Sequence, residues 1–337
     1  MNEQTKETEV VTAKVAGQAD ANISDEIETV TVTATKKSKK EEVIETKEEL
    51  TVTPQTKAPG FKIVFPTEEN KYIKMLVYGD YGTGKTHFCG TAQDVKEMQN
   101  VLNIDAEGGN KVLANRGDIP SIRVKKFSEL SDIFEYLRAH CLFRDTNNIE
   151  MLKASEAYFR GVNVKDIKKP RVYNTVMVDS ISEVARYCMY DLLGIDTDKI
   201  KLNDQLAQPE YKEWNSLMEK IRLLIRKFRD LPMHTLFVAS RQWDKDEQNR
   251  QLFTPNVQGK LANEIQGFMD HVGYYTLEKN EANEVHRFLI LQPGRTYQAK
   301  NRFSKFTGVY IQDPIMEDIY ELEVLNKSVP SRIEQTK

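Results

Sequence analysis

The sequence predicts an α/β fold: a mainly parallel sheet flanked by helices, behind an N-terminal tail. Three observations carry this reading. Short β-branched and aromatic runs alternate with segments of helical period over the first two thirds of the folded part, which calls for crossover helices between parallel strands. A glycine-rich stretch, Gly79-Asp80-Tyr81-Gly82-Thr83-Gly84, joins the first such run to the first helix. All 30 aromatic residues (14 Tyr, 14 Phe, 2 Trp) lie after position 60, so the segment before it lacks the large apolar side chains that a core needs.

The tail comes first. Residues 1–60 hold 8 Lys and no Arg against 12 Asp plus Glu, a charge of −4; the whole 337-residue chain carries −3, which leaves +1 for residues 61–337. Ordering a residue costs roughly 1–2 kcal/mol of backbone entropy, and this Thr-, Glu- and Lys-rich stretch has little apolar surface to offset it. It is expected to be disordered. The folded part, a single domain, is expected over 61–325, after the breaker Ala58-Pro59-Gly60, with 326–337 as a second flexible tail. Cys89, Cys141 and Cys188 form no CxxC pair, and their odd number argues against a disulfide framework, so packed thiols are expected. No apolar run approaches the roughly 18–20 residues that span a bilayer, and no apolar secretory segment stands at the start, so no membrane role and a cytoplasmic location are expected.

The elements follow in order. Residues 72–78 (YIKMLVY) read as the first strand and 85–98 as the first helix; 101–104 is a second strand. Leu130, Ile133, Phe134 and Leu137, spaced i, i+3, i+4, i+7 behind Ser128, mark one face of a helix. Residues 141–171 are polar and irregular, an insertion or a surface helix. A third strand is expected at 175–178. In the helix 211–229, Trp214, Met218, Ile221, Ile225 and Phe228 share one face and Arg222, Arg226 and Arg229 the water side. A fourth strand at 235–239 leads into a polar connection. The runs 272–277 and 288–291 then look like an antiparallel pair, and Asp313-Pro314 opens a last short helix.

Residues 79–86 satisfy G-x-x-x-x-G-K-[ST] at every fixed position, between a strand and a helix as the chemistry requires. The glycines let successive N–H groups turn inward on phosphate oxygens, Lys85 reaches the outer phosphates, and the Thr86 hydroxyl can ligate Mg²⁺. The expected nucleotide contacts are Gly79, Asp80, Tyr81, Gly82, Thr83, Gly84, Lys85, Thr86 and the adjoining His87, with ATP and Mg²⁺ as ligands. Asp179, closing the third strand, is placed to hold the metal with Thr86; its other possible role is to cap the helix from Ile181. Many P-loop ATPases put Glu directly after this Asp, but here Ser180 follows. Glu107, in Ile104-Asp105-Ala106-Glu107, also ends a strand and is the candidate base for the attacking water, alongside the plainer roles of loop carboxylate or partner of Lys111. The five histidines show no ligand spacing, so no further metal is expected.

The P-loop, 104–107 and Val176-Met177-Val178-Asp179-Ser180, in this order, resemble the RecA core. A fourth match, Ala299-Lys300-Asn301-Arg302, falls where that family carries basic residues reaching the ATP of the neighbouring subunit. The resemblance therefore implies a homo-oligomeric ATPase with ATP at its subunit interfaces and Lys300 and Arg302 acting in trans; a solvated basic turn is the alternative. Residues 211–275 further resemble phage ATP-binding proteins of the RecA-like Sak group, which are single-strand annealing or recombination proteins. This implies a single-stranded DNA partner, and γ-phosphate sensing within Ser240-Arg241-Gln242 by Gln242 or Arg241. With the folded part near neutral, any DNA surface must be local. Two stretches qualify, 242–258 with Trp243, Lys245, Arg250 and Phe253, and the cluster Lys165, Lys168, Lys169 and Arg171; each also reads as a solvated loop. The absent Glu after Asp179 supports a second reading, a nucleotide-gated interaction module or loader with little hydrolysis.

Overall fold

The computed structural model describes residues 71–245, 248–279, 283–303, 308–325 and 327. The expected tails, 1–60 and 326–337, lie outside these residues apart from Lys327. Strand β1 (Lys74–Gly79) is central, with β5 (His234–Lys245) on one side and β7 (His271–Lys279) on the other, both parallel to it. Beyond β5 the parallel order continues through β4 (Thr175–Asp179), β2 (Val101–Asp105) and β3 (Ser121–Arg123). Beyond β7 come the antiparallel strands β8 (Val285–Ile290) and β9 (Tyr310–Gln312). The order across the sheet is β3-β2-β4-β5-β1-β7-β8-β9, and β6 (Gln251–Pro255) pairs with the outer half of β5.

Both faces of this sheet are covered, which is why its inner strands read as continuous apolar runs rather than alternating ones. On one face, α1 (Lys85–Gly90) and the last helix, α7 (Met316–Glu323), bring Phe88 and Ile319 against Met75, Val77, Leu236 and Val238. On the other lie α2 (Glu129–Asp145), α4 (Ile181–Leu192), α5 (Tyr211–Arg229) and α6 (Leu261–Phe268). Their Leu137, Val184, Ile221 and Ile265 pack on Leu76, Val178 and Phe237. All three cysteines are buried free thiols. This mainly parallel, two-sided α/β architecture is the one that the sequence predicts.

Three expectations need correction. The helix expected at 85–98 ends at Gly90, with a 3₁₀ turn over Thr91–Asp94. The Thr91 hydroxyl donates to the Phe88 carbonyl at 2.6 Å and accepts from the Met316 N–H at 2.8 Å, so the break serves the docking of α7. The polar connection after Ala239 is instead a β-ribbon: β5 runs on to Lys245 and turns back through β6, its Arg241-to-Lys245 segment hidden from a hydropathy reading because the ribbon stands beyond the sheet. Within 141–171, of the two expectations, insertion or surface helix, the structure has the helix: the end of α2 and then α3 (Ile149–Arg160), which stacks Phe159 on Tyr136 at 4.1 Å. In α5 the buried residues are Leu217, Ile221, Leu224, Ile225 and Phe228, while Trp214 stays 36% exposed. Arg222 is not on the water side, because it bonds Glu264 of α6 at 2.7 Å.

Replacing Thr91 with Val should leave the buried Met316 N–H without an acceptor and cost about 1–3 kcal/mol in chemical denaturation, whereas Thr91→Ser should cost much less. Equal losses for both would show that the methyl group, and not the hydroxyl, is what the fold uses.

Candidate functional site

The phosphate loop hangs between the carboxyl ends of β1 and its two neighbours. At its start, Gly79 pairs with Ser240 of β5 and Tyr275 of β7. A Cβ on Gly79 would stand 2.0 Å from the Tyr275 carbonyl oxygen, so no side chain fits there. Gly82 and Gly84 turn the loop with φ of 76° and 102°, a region open to glycine at little cost. The turn leads directly into α1, whose first helical bond runs from the Phe88 N–H to the Gly84 carbonyl at 2.9 Å. Thr83 is buried and donates to the Asp80 carbonyl at 2.9 Å, which closes the loop on itself; Tyr81 is 72% exposed at its tip.

Lys85 folds back over the loop, donating from Nζ to the carbonyls of Gly79 at 3.2 Å and Asp80 at 2.6 Å. Burial lowers its pKa, against the pull of Glu107, Asp179 and Asp80, so all three carboxylates surround one ammonium. Next to it, the Thr86 hydroxyl donates to Asp179 Oδ2 at 2.7 Å. Asp179 is 3% exposed, and its Oδ1 is buried with no hydrogen-bond partner among the described residues. Burial raises its pKa to about 6; the Thr86 bond opposes the rise, and Glu107 and Asp105 add to it. A desolvated carboxylate with one idle oxygen beside a hydroxyl is a set of donors that suits Mg²⁺, which takes one or two protein oxygens and fills its other positions with water and phosphate. Among the described residues no group of three or more His, Cys, Asp or Glu is gathered to hold an ion.

The end of β2 is tied to the end of β4. The Ala106 and Glu107 N–H groups both donate to the Asp179 carbonyl, at 2.7 and 3.3 Å. Asp105 is buried and accepts from the Gly108 N–H at 2.7 Å and from Arg123 at 3.1 Å, so it shapes the turn that presents Glu107. Glu107 is exposed and shares a short hydrogen bond with the Ser180 hydroxyl. Ser180 is thus a site residue that motif matching passes over, because its role depends on the lateral pairing of two strands. The cap role also exists, but it falls to Ser180, which accepts from Glu183 N at 3.5 Å, rather than to Asp179.

Of the two sensor candidates, Arg241 touches the loop: its Nε donates to Asp80 Oδ1, and its guanidinium lies 3.9 Å from the centre of the Phe253 ring. Gln242 instead donates to the Val257 carbonyl at 3.2 Å. Lys300 and Arg302 are not brought to the loop of their own chain. Lys300 donates to the carbonyls of Gln266 and Met269, and Arg302 to Asp270 at 2.8 Å. Asp270 lies beside Lys74 at the start of β1, about 16 Å from Gly79 at the rise of a strand.

His87 is exposed at the start of α1; burial and then the cations Arg116 and Arg287 hold its pKa below the usual imidazole value. Arg287 of β8 was not expected here. Its Nε donates to the Thr83 carbonyl at 3.2 Å, and a Cβ on Gly84 would lie 2.9 Å from it. The sequence holds no motif around Arg287; only the antiparallel return of β8 brings it to the loop. The two candidate DNA stretches are well apart in character. On the ribbon, Trp243 is 59% exposed and packs on Phe253 at 4.0 Å, which stacks on Tyr274 and, through it, Tyr297. Lys165, Lys168 and Lys169 are exposed, and Arg171 donates to the Asp118 carbonyl at 3.2 Å.

A family model described as an AAA domain matches residues 71–303. Among solved structures, the flagellar accessory protein FlaH from Methanocaldococcus jannaschii is 10% identical, with a TM-score of 0.34 over 71% of this chain and 86% of that one. The RadB recombinase is 14% identical, with a TM-score of 0.35 over 71% of this chain and 86% of that one. No curated protein matches the chain. Among the described residues no helix is long and apolar enough to cross a membrane.

The raised pKa of Asp179 has a measurable consequence. Its folded value, about 6, lies above the ordinary 3.8, so the folded state holds the proton more tightly than the unfolded one between these values. The destabilisation is complete above pH ~6 and relieved below ~4, and two units correspond to about 3 kcal/mol. Without nucleotide or metal, Asp179→Asn is expected to be more stable than the parent above pH ~7 by about 1–3 kcal/mol, less whatever the idle amide costs. An urea titration at two pH values that found the variant less stable at both would contradict this.

Proposed function

The chain belongs to the AAA-domain family, and from that premise we propose that it is an Mg²⁺-dependent RecA-like ATPase that works on single-stranded DNA in annealing or recombination. The observation that carries the nucleotide part is the glycine cradle with Lys85 over it and the Thr86–Asp179 pair alongside, one carboxylate oxygen left free. The loop N–H groups hold the phosphates of ATP, and Lys85 exchanges its bonds to the Gly79 and Asp80 carbonyls for phosphate oxygens. Thr86 and Asp179 hold the metal, which supplies charge neutralisation at the transferring phosphate. Glu107, steadied by Ser180, orients the attacking water and accepts its proton.

Two further roles complete the reading. Arg241, bonded to Asp80, senses the state of the phosphate chain, a role its contact favours over Gln242. In a homo-oligomer, Lys300 and Arg302 complete the site of a neighbouring subunit. Their distance from their own loop supports action in trans, as does the 52% exposure of the Arg302 side chain. The DNA surface is the β5–β6 ribbon, where the exposed Trp243 ring can stack a base and Lys245 can meet a phosphate. The second reading, a nucleotide-gated loader that hydrolyses little ATP, draws on one observation: Glu107 is already engaged by Ser180, and Ser180 stands where a base would follow Asp179.

Lys85→Ala should lower Mg·ATP affinity about 100-fold or more, close to 3 kcal/mol, while Glu107→Gln should bind ATP normally and release no phosphate. Measured ATP turnover, with and without single-stranded DNA, separates the readings: unchanged turnover in Glu107→Gln removes that residue from the mechanism, and negligible turnover in the parent favours the loader. For the DNA surface, Trp243→Ala should weaken binding of a labelled single strand by about 1–3 kcal/mol in fluorescence anisotropy. Binding that shows no dependence on salt in the parent would count against a phosphate-tracking surface.

A further inference from the structure

The carboxyl ends of β4 and β2 hold the acidic flank of the phosphate loop, with Asp179 and Glu107. On the other flank stand β7 and β8, and the register fixes what they present. Tyr275 lies beside Gly79, and Arg287 faces Leu277, two residues farther along β7. Arg287 therefore stands past the end of β1, on the loop side of the sheet. Its backbone is held firmly: its N–H donates to Asp313 Oδ1 at 3.1 Å, and the Asp313 N–H donates to its carbonyl at 2.7 Å. The other Asp313 oxygen meets the His286 ring at 2.8 Å. Asp313 is thus spent on backbone and imidazole, and among the described residues the Arg287 guanidinium has no ion pair. One of its nitrogens bonds the Thr83 carbonyl; its two terminal nitrogens keep their N–H donors for something else.

A cation without a counter-charge, laid against a loop whose own N–H groups turn toward anions, is electrostatically unfavourable until an anion arrives. The same cation contributes to holding the neighbouring His87 neutral. The position along the nucleotide follows from the two flanks. Thr86, Asp179 and Glu107 mark where the metal and the terminal phosphate belong, on the β5–β4 side of β1. Arg287 is on the opposite side, over Gly84 and away from that metal pair, which leaves to it the phosphates farther from the terminal one.

We propose that Arg287 is a nucleotide-binding residue acting within its own subunit, its guanidinium gripping the α- and β-phosphates from the β8 side of the loop. This rests on the nucleotide-binding reading above and adds a contact that no motif in the chain supplies. Because those two phosphates are common to ADP and ATP, the contact serves both equally.

The test is isothermal titration of the full chain with Mg·ADP and with a non-hydrolysable Mg·ATP analogue. Arg287→Ala is expected to raise Kd for both ligands by the same factor, tenfold or more, where tenfold corresponds to about 1.4 kcal/mol. Arg287→Lys, which keeps the charge and loses the fork, should lie between. Thermal unfolding without ligand should be unchanged, since the side chain is exposed. Unaltered Kd values in Arg287→Ala would overturn the proposal, and so would a loss confined to the ATP analogue, which would put the guanidinium on the terminal phosphate. If the parent chain binds neither ligand, the nucleotide reading itself falls; binding by the parent with an indifferent Arg287→Ala variant sinks only the role of Arg287.

Discussion

The hydrogen bond from Thr86 to Asp179 is the constraint around which the site is organised. Its two residues belong to α1 and β4, and β5 lies between β4 and the strand that feeds α1. Two strand spacings, about 10 Å, have to be bridged. The loop does so by turning sharply at Gly82 and Gly84, so that α1 begins over β5, with Phe88 in one core with Leu236 and Val238. Two features serve this span: the buried apolar strands that fix the register, and the bare Gly79 beneath the Tyr275 carbonyl. The bond leaves Asp179 desolvated with one oxygen idle, and the protein bears that cost in the ligand-free state.

The site is polarised across β1. Carboxylates gather on the β4 and β2 side, where Glu107 and Asp105 help to raise the pKa of the buried Asp179, and Glu107 and Asp179 pull upward on that of Lys85. On the β7 and β8 side stands Arg287, which bonds the loop at Thr83. This division needs no net charge. A folded part of about +1 is 40 Lys plus Arg against 39 Asp plus Glu, so the near neutrality of residues 61–337 describes cancellation rather than the absence of fields. The same holds for the ribbon, where Arg241 is paired with Asp80 and layered on Phe253 and Trp243.

What the sequence discloses about this arrangement depends on how local each feature is. The phosphate loop is contiguous, and its glycines, lysine and threonine do their work within eight positions, so pattern alone finds them. Asp179 is legible because an acidic residue closes an apolar run that can only be a buried strand. Ser180 and the Asp80–Arg241 pair require knowing which strands are neighbours, and Arg287 requires knowing that β8 returns antiparallel beside β7. None of these leaves a mark in spacing. The ribbon of β5 and β6 escaped for a different reason: outside the sheet its partners are rings and solvent, so Arg241-Gln242-Trp243-Asp244-Lys245 shows no apolar run. Trp214 and Arg222 show the limit of a helical wheel, which gives the width of the buried stripe in α5 but not its centre; the contact with Glu264 of α6 sets that.

The ligand-free contacts of the loop share one character. Lys85 bonds the Gly79 and Asp80 carbonyls, Arg287 bonds the Thr83 carbonyl, and the Asp80 side chain is held by Arg241. Both cations are thus lodged on carbonyls of the loop. On the proposed reading, an entering triphosphate offers each of them a stronger, charge-assisted acceptor. Drawing Lys85 off the Asp80 carbonyl removes one of three restraints on Asp80; the Thr83 hydroxyl keeps the same carbonyl, and the third is the guanidinium that rests on Phe253 of the ribbon. A change at the phosphates therefore has a short physical route to Trp243: through one backbone carbonyl, one ion pair and one stacked ring. Because each step is a contact that can be exchanged rather than a bond that must break, occupancy of the cradle can bias the ribbon without any rearrangement of the sheet beneath it.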